Sequence, residues 1–322
     1  IAKPLHSLGK MEDLVIQTAG ITGDANVTYD KKALIVMCAD NGVVAEGVTQ
    51  SEQNVTAIVS ENFLSDKATA AILCKQTGAE IFPIDIGIAV DTKLENHKIA
   101  YGTKNMAKEP AMTREEAERA MEVGIEKVRE LSEQGYKIIA TGEMGIGNTT
   151  TSSALASYFL QEDVEKMTGR GAGLTSKALE KKMAVVRKAI ADYSPAFTDA
   201  IDALAALGGF DIAGMAGVFL GGAIYRVPIV MDGFISSTAA LTATRICPAC
   251  KDFIMASHVS KEPAAEKILA AMDKEAALHC DMCLGEGTGA VTLFPILDLA
   301  TQIYEQMSTF EDIEIDAYVE LK

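Results

Sequence analysis

The sequence predicts an α/β fold, a parallel sheet flanked by helices. Short, continuous apolar runs alternate with longer helical segments along the chain, and this alternation is typical of parallel strands joined by crossover helices. The predicted strands end in Asp, Glu, Gly or Ser, and open α/β sheets bind ligands at the carboxyl ends of their strands. We therefore expect a Rossmann-like sheet with one ligand crevice at that edge.

The first half of the chain shows the alternation clearly. Continuous apolar runs predict three strands there, at 33–39, 78–87 and 136–140. Helical segments are predicted at 53–73, as one or two helices, and at 152–160. A capping box formed by Thr113 and Glu116 predicts the start of a long amphipathic helix that ends near Gln134.

The second half continues the pattern. Two more strands are predicted at 228–232 and 253–257, and helices at 179–193, 203–220 with an interruption at 208–211, 262–280 and 293–307. No linker rich in Pro, Ser or charge and no internal repeat occurs, so we expect one domain over 1–322. Within it, we expect a main α/β body at about 31–289 and a smaller helical layer formed by the chain ends, at about 1–30 and 290–322.

The composition excludes several classes of partner. The chain has 322 residues and a formal net charge of −16, from 45 acidic and 29 basic side chains. Such an acidic surface disfavours nucleic acid and anionic membranes, because both are bound through clustered Lys and Arg. The longest apolar stretch, 212–225, is too short to span a membrane, and the first residues lack the regions of a secretory signal. We therefore expect a cytoplasmic protein.

Four of the six cysteines form two C-x-x-C pairs. The pairs are Cys247 with Cys250 and Cys280 with Cys283, and His279 stands beside the second pair. This is a zinc-site pattern on paper, but the distance between the pairs exceeds the usual spacing and both lie in apolar, helix-prone surroundings. We therefore expect buried, free thiols and no metal, with a zinc-bearing scaffold as the alternative.

Two glutamates flanked by glycine are the most informative residues of the chain. Glu143 lies in Thr-Gly-Glu-Met-Gly-Ile-Gly, and Glu286 lies in Leu-Gly-Glu-Gly-Thr-Gly. Glycine permits positive φ and lets a ligand approach the main chain. One such motif is typical of a turn with a solvated acid. Two of them, each beside an apolar segment, favour a shared cleft that holds one or two working carboxylates.

Several common catalytic motifs do not occur in the sequence. There is no G-x-x-x-x-G-K-[ST] and no G-x-S-x-G, and the four His are scattered. The run at 169–174 departs from G-x-G-x-x-G and follows no apolar strand, so a dinucleotide site is disfavoured. Asp40, Asp85 and Asp232 end strands and could gather around a metal, although such acids more often cap the main chain or bind ribose.

These motifs resemble those of the nicotinate-nucleotide–dimethylbenzimidazole phosphoribosyltransferase family, nearly from end to end. The matching segments are 3–12, 37–43, 46–48, 55–58, 84–88, 142–150, 169–174, 208–212, 232–234, 257–258 and 284–289. The two glutamate motifs are highly specific to that family. The resemblance implies that the phosphoribosyl group of nicotinate mononucleotide is transferred to an aromatic lower-ligand base, with release of nicotinate, in cobamide biosynthesis. It implies neither a metal nor another cofactor.

The resemblance also assigns the site residues. It makes Glu286 the general base, and it places Glu143 beside the aromatic base. Because ribosyl transfer develops positive charge at C1′ of the ribose, we expect the nearby Glu143 carboxylate to stabilise that charge as well. The other residues assigned to the base pocket are Ser51, Val59, Met144, Gly145 and Leu284. The residues assigned to the nucleotide are Gly171, Gly173, Lys182, Gly209, Asp232 and Ser257. Apolar pocket walls should raise the pKa of the Glu286 carboxyl and improve it as a base.

Two departures from the family's pattern bear on the acceptor. Asn41 stands where the family often has His, and Val59 stands where it often has a Gln that can bond an azole nitrogen. The acceptor therefore stays open between dimethylbenzimidazole, another benzimidazole or purine, and a phenol that would give an O-linked nucleotide. The resemblance implies a homodimer or, as in some phenol-using relatives, a heterodimer with a homologous chain. A non-catalytic partner subunit is the alternative, although both glutamates are present.

Overall fold

The computed structural model describes residues 1–171 and 173–319. In that part of the chain, six strands form one parallel sheet in the order β3-β2-β1-β4-β5-β6. The strands are β1 Lys32–Ala39, β2 Ala79–Gly87, β3 Glu95–Asn96, β4 Ile138–Met144, β5 Ile229–Met231 and β6 Ile254–Ala256. Helices cover the sheet, so the predicted α/β fold with a Rossmann-like parallel sheet is confirmed.

Twelve α-helices occur among the described residues. They are α1 Lys10–Thr22, α2 Val55–Asn62, α3 Thr69–Thr77, α4 Arg114–Glu133, α5 Asn148–Leu160, α6 Val164–Met167, α7 Ser176–Tyr193, α8 Ala200–Leu207, α9 Phe210–Tyr225, α10 Phe234–Ile246, α11 Ala265–Ala271 and α12 Thr288–Gln306. A hydrophobic core forms on each face of the sheet. Helices α1, α3 and α12 supply one core, and α4, α5, α8, α9 and α10 supply much of the other.

Strand β1 is buried on both faces, which explains its continuous apolar sequence. Ala33, Ile35 and Met37 enter the core beneath α9, whereas Leu34 and Val36 enter the core beneath α12. Successive side chains of a strand point to opposite faces, so both faces of this central strand must be apolar. The carboxyl ends of β1 and its neighbour β4 therefore lie in the middle of the sheet, between the two helical layers.

Small residues bring α9 close to both the sheet and α4. A Cβ on Gly124 of α4 would overlap the carbonyl oxygen of Gly214, and a Cβ on Gly217 would overlap the carbonyl oxygen of Met121. Gly214 also faces Met37 of β1, whose Sδ atom would lie 3.0 Å from a Cβ there. The Gly- and Ala-rich composition of this helix thus serves dense packing in the layer that covers the centre of the sheet.

Two predicted boundaries near the first glutamate were wrong. Strand β4 continues to Met144 rather than ending at 140, so Glu143 lies on a strand and not in a loop. Helix α5 then begins at Asn148, earlier than the predicted 152. The glycines of this segment suggested a loop, but β4 is paired with β1 as far as Met144, and this pairing keeps the chain extended.

The helix predicted at 262–280 forms only over Ala265–Ala271. Asp273 adopts a left-handed φ of 53°, and the chain then extends so that Leu278 pairs with His258. Strand β3 was not predicted, because its two residues are polar and form no apolar run. The segment from 279 to 285 has no regular structure and leads directly into Glu286.

The two chain ends contribute to the same core. Helix α1 packs against α12, and α12 also contacts α3 and β4. The division into a main body and a smaller helical layer stays a prediction. Within residues 1–171 and 173–319, no helix is both long enough and apolar enough to cross a membrane.

The cysteines are free, and the expectation that the paired ones are buried is wrong for three of them. Cys250 is buried, but Cys247, Cys280 and Cys283 are exposed. They are exposed because they lie in a short turn and an irregular surface segment rather than in buried helices. Across the described ranges, no group of three or more His, Cys, Asp or Glu side chains is arranged to hold a metal ion.

Candidate active site

A cavity of about 600 Å³ lies at the carboxyl edge of the sheet. Both glutamates line it, Glu143 from the end of β4 and Glu286 from the loop before α12. The crevice expected from the strand ends is therefore present, and it brings together the two motifs that the sequence singled out.

Glycines allow the two motifs to touch. A Cβ on Gly142 would lie 2.6 Å from the carbonyl oxygen of Glu286, and one on Gly285 would overlap the Glu143 carboxylate. A Cβ on Gly287 would overlap Leu34 of β1. The Glu286 loop can rest on the end of β4 only because these positions lack side chains. The two glycine-flanked motifs are thus one structural unit.

Glu286 combines a constrained backbone with a half-buried carboxylate. Its φ is 62°, an uncommon left-handed value for a residue that is not glycine. Its Oε2 atom is buried and has no hydrogen-bond partner among the described residues. Burial raises the pKa of the Glu286 carboxyl, and the main-chain N–H of Ala70 opposes the rise. A buried acceptor without a partner is available to take a proton from a ligand.

Glu143 belongs to a buried acidic network. It is only 6% exposed, and Asn148 Nδ2 donates a hydrogen bond to its Oε2 atom. The same amide donates to Asp211 Oδ2 at 2.9 Å. Burial, followed by the charge of Asp211, raises the pKa of Glu143 to about 8. Glu143 therefore retains a proton near neutral pH, when the site is empty.

Asp211 and Asn148 were not identified as site residues from the sequence. Burial raises the pKa of Asp211 to about 6, and Asn148 and main-chain N–H groups oppose the rise. Gly209 lies against this network, since a Cβ there would sit 2.5 Å from Asp211 Oδ1. Their place in motifs already noted could have identified them, because Asp211 stands two residues after Gly209 and Asn148 directly follows Gly147.

Asp232 lies at the end of β5 with both carboxylate oxygens engaged. Its Oδ1 accepts from Gly289 N–H at 2.7 Å and from Ala290 N–H at 3.0 Å. Its Oδ2 accepts from Gly287 N–H at 3.2 Å. Burial raises the pKa of Asp232 to about 6, and main-chain N–H groups oppose the rise, first that of Gly233 and then those of Ala290, Gly289 and Gly287. Its assignment to the nucleotide stays a prediction.

Lys182 lies behind the cavity wall, next to the lining residues Thr149 and Gly171. Its Nζ donates to Thr149 Oγ1 at 2.9 Å and to the Gly169 carbonyl at 3.2 Å. Burial lowers the pKa of Lys182 to about 8, and the charge of Glu262 opposes this. Gly171 and Gly173 both have positive φ and line the cavity, as does Glu262. Glu262 and Thr149 were not predicted as site residues.

The remaining predicted residues divide into two groups. Val59, Met144, Gly145 and Leu284 line the cavity, and Leu284 is 56% exposed at its mouth. Ser51, Gly209 and Ser257 are not among the described residues that form its wall. Ser257 is fully buried and donates to the Met231 carbonyl at 2.6 Å, whereas its neighbour His258 lines the cavity. The roles assigned to these seven residues stay predictions.

Comparison with known proteins gives a consistent result. A family model described as "Phosphoribosyltransferase" matches residues 1–315. The nicotinate-nucleotide–dimethylbenzimidazole phosphoribosyltransferase of Clostridium acetobutylicum is 50% identical over 100% of this chain and 92% of its own length. The protein of that name from Acetivibrio thermocellus is 49% identical over 99% of this chain and 92% of its own length.

Solved structures agree with the sequence relatives. The crystal structure of CobT from Thermus thermophilus has a TM-score of 0.94 and 35% identity, and the match covers 98% of this chain and 96% of that one. A second structure from the same organism carries the name nicotinate-nucleotide–dimethylbenzimidazole phosphoribosyltransferase and has a TM-score of 0.92 at 34% identity, over 99% and 96% of the two chains. The chain belongs to the nicotinate-nucleotide–dimethylbenzimidazole phosphoribosyltransferase family.

Proposed function

We propose that this phosphoribosyltransferase transfers the phosphoribosyl group of nicotinate mononucleotide to an aromatic base and releases nicotinate. The product is an α-ribazole phosphate-type nucleotide for cobamide biosynthesis. The observation that carries the proposal is Glu286, a half-buried carboxylate with a raised pKa and a buried, unpartnered oxygen in a cavity with largely apolar walls. A raised pKa makes the carboxylate a stronger base, which suits proton abstraction.

The chemistry requires one base. The acceptor nitrogen attacks C1′ of the ribose, and the bond from C1′ to the pyridinium nitrogen breaks with its electron pair going to the ring. Nicotinate leaves with a neutral ring, so no general acid is needed. An azole acceptor loses the proton on its other nitrogen to Glu286. No bond to phosphorus breaks, so the reaction needs no metal to activate a phosphate and no further cofactor.

The buried side chains of Glu143 and Asp211 can stabilise positive charge at C1′ of the ribose. Between the raised pKa values of Asp211 and Glu143, about 6 and about 8, the pair linked by Asn148 carries one negative charge. Positive charge develops at C1′ as the glycosidic bond lengthens, and a preorganised negative group nearby lowers its energy. We assign this role to the pair of Glu143 and Asp211 together, and we assign Glu143 also to the wall of the aromatic-base pocket, with Met144 and Gly145.

The cavity wall in front of Lys182 suits the phosphate of the nucleotide. Lys182 is buried, and the neighbouring turn carries two glycines with positive φ, Gly171 and Gly173. Successive main-chain N–H groups in such turns form concave anion sites. We assign the phosphate to the part of the wall formed by Thr149, Gly171 and Gly173, which lies in front of Lys182 and in the same cavity as Glu286.

The acceptor pocket requires few hydrogen bonds from its ligand. Val59, Met144 and Leu284 are apolar lining residues. We propose that the pocket accepts dimethylbenzimidazole and also atypical aromatics such as phenols. A pocket without a polar partner for the ring nitrogen does not penalise ligands that lack that nitrogen.

The activity is tested directly by product analysis. The purified chain is incubated alone with nicotinate mononucleotide and a panel of benzimidazoles, purines and phenols. Release of nicotinate with formation of a base nucleotide is expected, and Glu286→Gln should lower turnover on the order of 100-fold with a modest effect on nucleotide binding. Near-normal turnover of Glu286→Gln would remove the assignment of the base.

The assembly state of the chain is tested by a separate measurement of mass. We propose that the chain acts as a cytoplasmic homodimer or pairs with a homologous chain. Ile58, Leu64 and Ile72, in and between α2 and α3, are 64%, 53% and 47% exposed, and exposed apolar side chains are favoured at protein interfaces. Light scattering gives the mass of the purified chain. A monomer without activity alone would favour the alternative of a subunit that requires a partner.

A further inference from the structure

Asp232 occupies the position of a helix cap, although it belongs to another element. The first N–H groups of a helix have no partner within the helix and are usually bound by a side chain just before it. The residue before α12 is Gly287, and no side chain at that position caps the helix. Asp232, from the end of β5, accepts from the N–H groups of Gly287, Gly289 and Ala290 instead.

The need for a remote cap follows from the packing of the loop. Gly287 has a φ of 82°, and a Cβ there would overlap Leu34. A Ser, Thr or Asp at this position would therefore clash with the sheet, and the usual local cap is excluded. The carboxylate that replaces it must come from a neighbouring strand, and Asp232 is only 3% exposed at the start of the helix.

The contact reaches Glu286 through one peptide bond. Gly287 N–H belongs to the peptide group that begins with the carbonyl carbon of Glu286, and Asp232 binds that N–H. The carbonyl oxygen of the same peptide group lies against Gly142 of β4. In the preceding peptide group, the main-chain N–H of Glu286 faces the Glu143 carboxylate and partly opposes the rise in the pKa of Glu143. The peptide groups before and after Glu286 are therefore both held.

We propose that Asp232 is a positioning residue, which fixes the orientation of Glu286 by binding the main chain that follows it, and that it is not a ligand of the nucleotide. All three hydrogen bonds that carry this inference go to the start of α12, and they occupy both oxygens. The inference rests on the proposed role of Glu286. A small displacement of a reacting group is costly in enzymes, because turnover depends on near-attack geometry.

Asp232→Asn is the informative variant because it preserves shape. The remaining oxygen can still accept from Gly289 and Ala290, but the new NH₂ group faces Gly287 N–H, and two donors cannot bond. We expect kcat to fall on the order of 100-fold, with KM for nicotinate mononucleotide changed by less than about threefold. A raised KM with unchanged kcat would show instead that Asp232 binds the nucleotide.

A double-mutant cycle separates positioning from a general structural role. If Asp232 acts through Glu286, then Asp232→Asn should cost less than about threefold in a chain that already carries Glu286→Gln. Losses that multiply in the double variant would overturn the proposal. Asp199→Asn is the matched control, since Asp199 Oδ1 accepts from Ile201 and Asp202 N–H at 2.9 and 3.1 Å at the start of α8, outside the cavity. Its kcat should equal that of the unmodified chain.

Hydrogen exchange tests the contact without any assay of activity. In the unmodified chain, the amide protons of Gly287, Gly289 and Ala290 should be protected, and Asp232→Asn should release Gly287 selectively. Fast exchange of Gly287 in the unmodified chain would overturn the proposal even if the variant failed to fold. An unmodified chain that shows this protection but transfers no phosphoribosyl group would leave the contact standing and refute the proposed function.

Discussion

The contact between the two glycine motifs can be tested with Gly287→Ala. A Cβ at position 287 would overlap Leu34 Cδ1 and lie 3.1 Å from the Thr141 carbonyl oxygen, and the φ of 82° is unfavourable for alanine. The left-handed conformation costs an alanine about 1–2 kcal/mol, and forced overlap in a packed interior costs about 1–3 kcal/mol. We therefore expect the free energy of unfolding to fall by about 2–5 kcal/mol. Turnover should fall as well, because Glu286 is the adjacent residue.

The chain offers a matched control for the conformational part. Gly78 has a φ of 67°, and a Cβ there would meet no atom within 4 Å. Gly78→Ala should therefore cost only about 1–2 kcal/mol and leave turnover unchanged. Urea unfolding gives both stabilities, and formation of the base nucleotide gives both turnover numbers. Equal stability losses in the two variants, together with normal turnover of Gly287→Ala, would refute the idea that close contact holds the loop.

Three further predictions concern pH, metal and acceptor. Because the pKa of Glu143 rises on folding to about 8, the unfolded chain binds fewer protons, so the free energy of unfolding should decline from about pH 5 to about pH 8. Urea titrations should show a shallower decline for Glu143→Gln, and identical slopes would contradict this. Turnover should survive EDTA, since no phosphate is activated, and strict magnesium dependence would point to a different phosphoribosyl donor. Val59→Gln should shift the product ratio between dimethylbenzimidazole and phenol toward the azole by about 1–3 kcal/mol, whereas an unchanged, overwhelming azole preference would show that Val59 does not set specificity.

Sequence patterns correctly predicted the elements that are determined by a few consecutive residues. The apolar run of β1 identified a strand buried on both faces, and Thr113 with Glu116 identified the start of α4, where both hydrogen bonds of the capping box form. The crevice at the carboxyl edge followed from the polar strand ends. These features depend on a few consecutive residues, so one sequence is enough to reveal them.

Features set by distant contacts were not predicted. Glu143 lies on a strand because β1 pairs with β4 through Met144, which no local glycine pattern reveals. Asp211 and Asn148 belong to the site because α5 and α9 begin side by side beneath it, and their hydrogen bond joins residues far apart in the chain. The irregular chain after α11 is likewise stabilised by pairing of Leu278 with His258 rather than by helix propensity.

The contact between β4 and the loop before α12 also determines when the active site can be completed during synthesis of the chain. Gly142 lies near the middle of the sequence, whereas Glu286 and the helix that follows it are supplied near its end. During synthesis, the segment around Lys182, which we assign to the phosphate, emerges well before the segment that carries the general base Glu286. A nascent chain can therefore complete its catalytic centre only after α12 has left the ribosome and docked on the sheet. Premature termination before residue 288 would leave all six described strands of the sheet encoded, yet no helix α12 to hold the Glu286 loop on it.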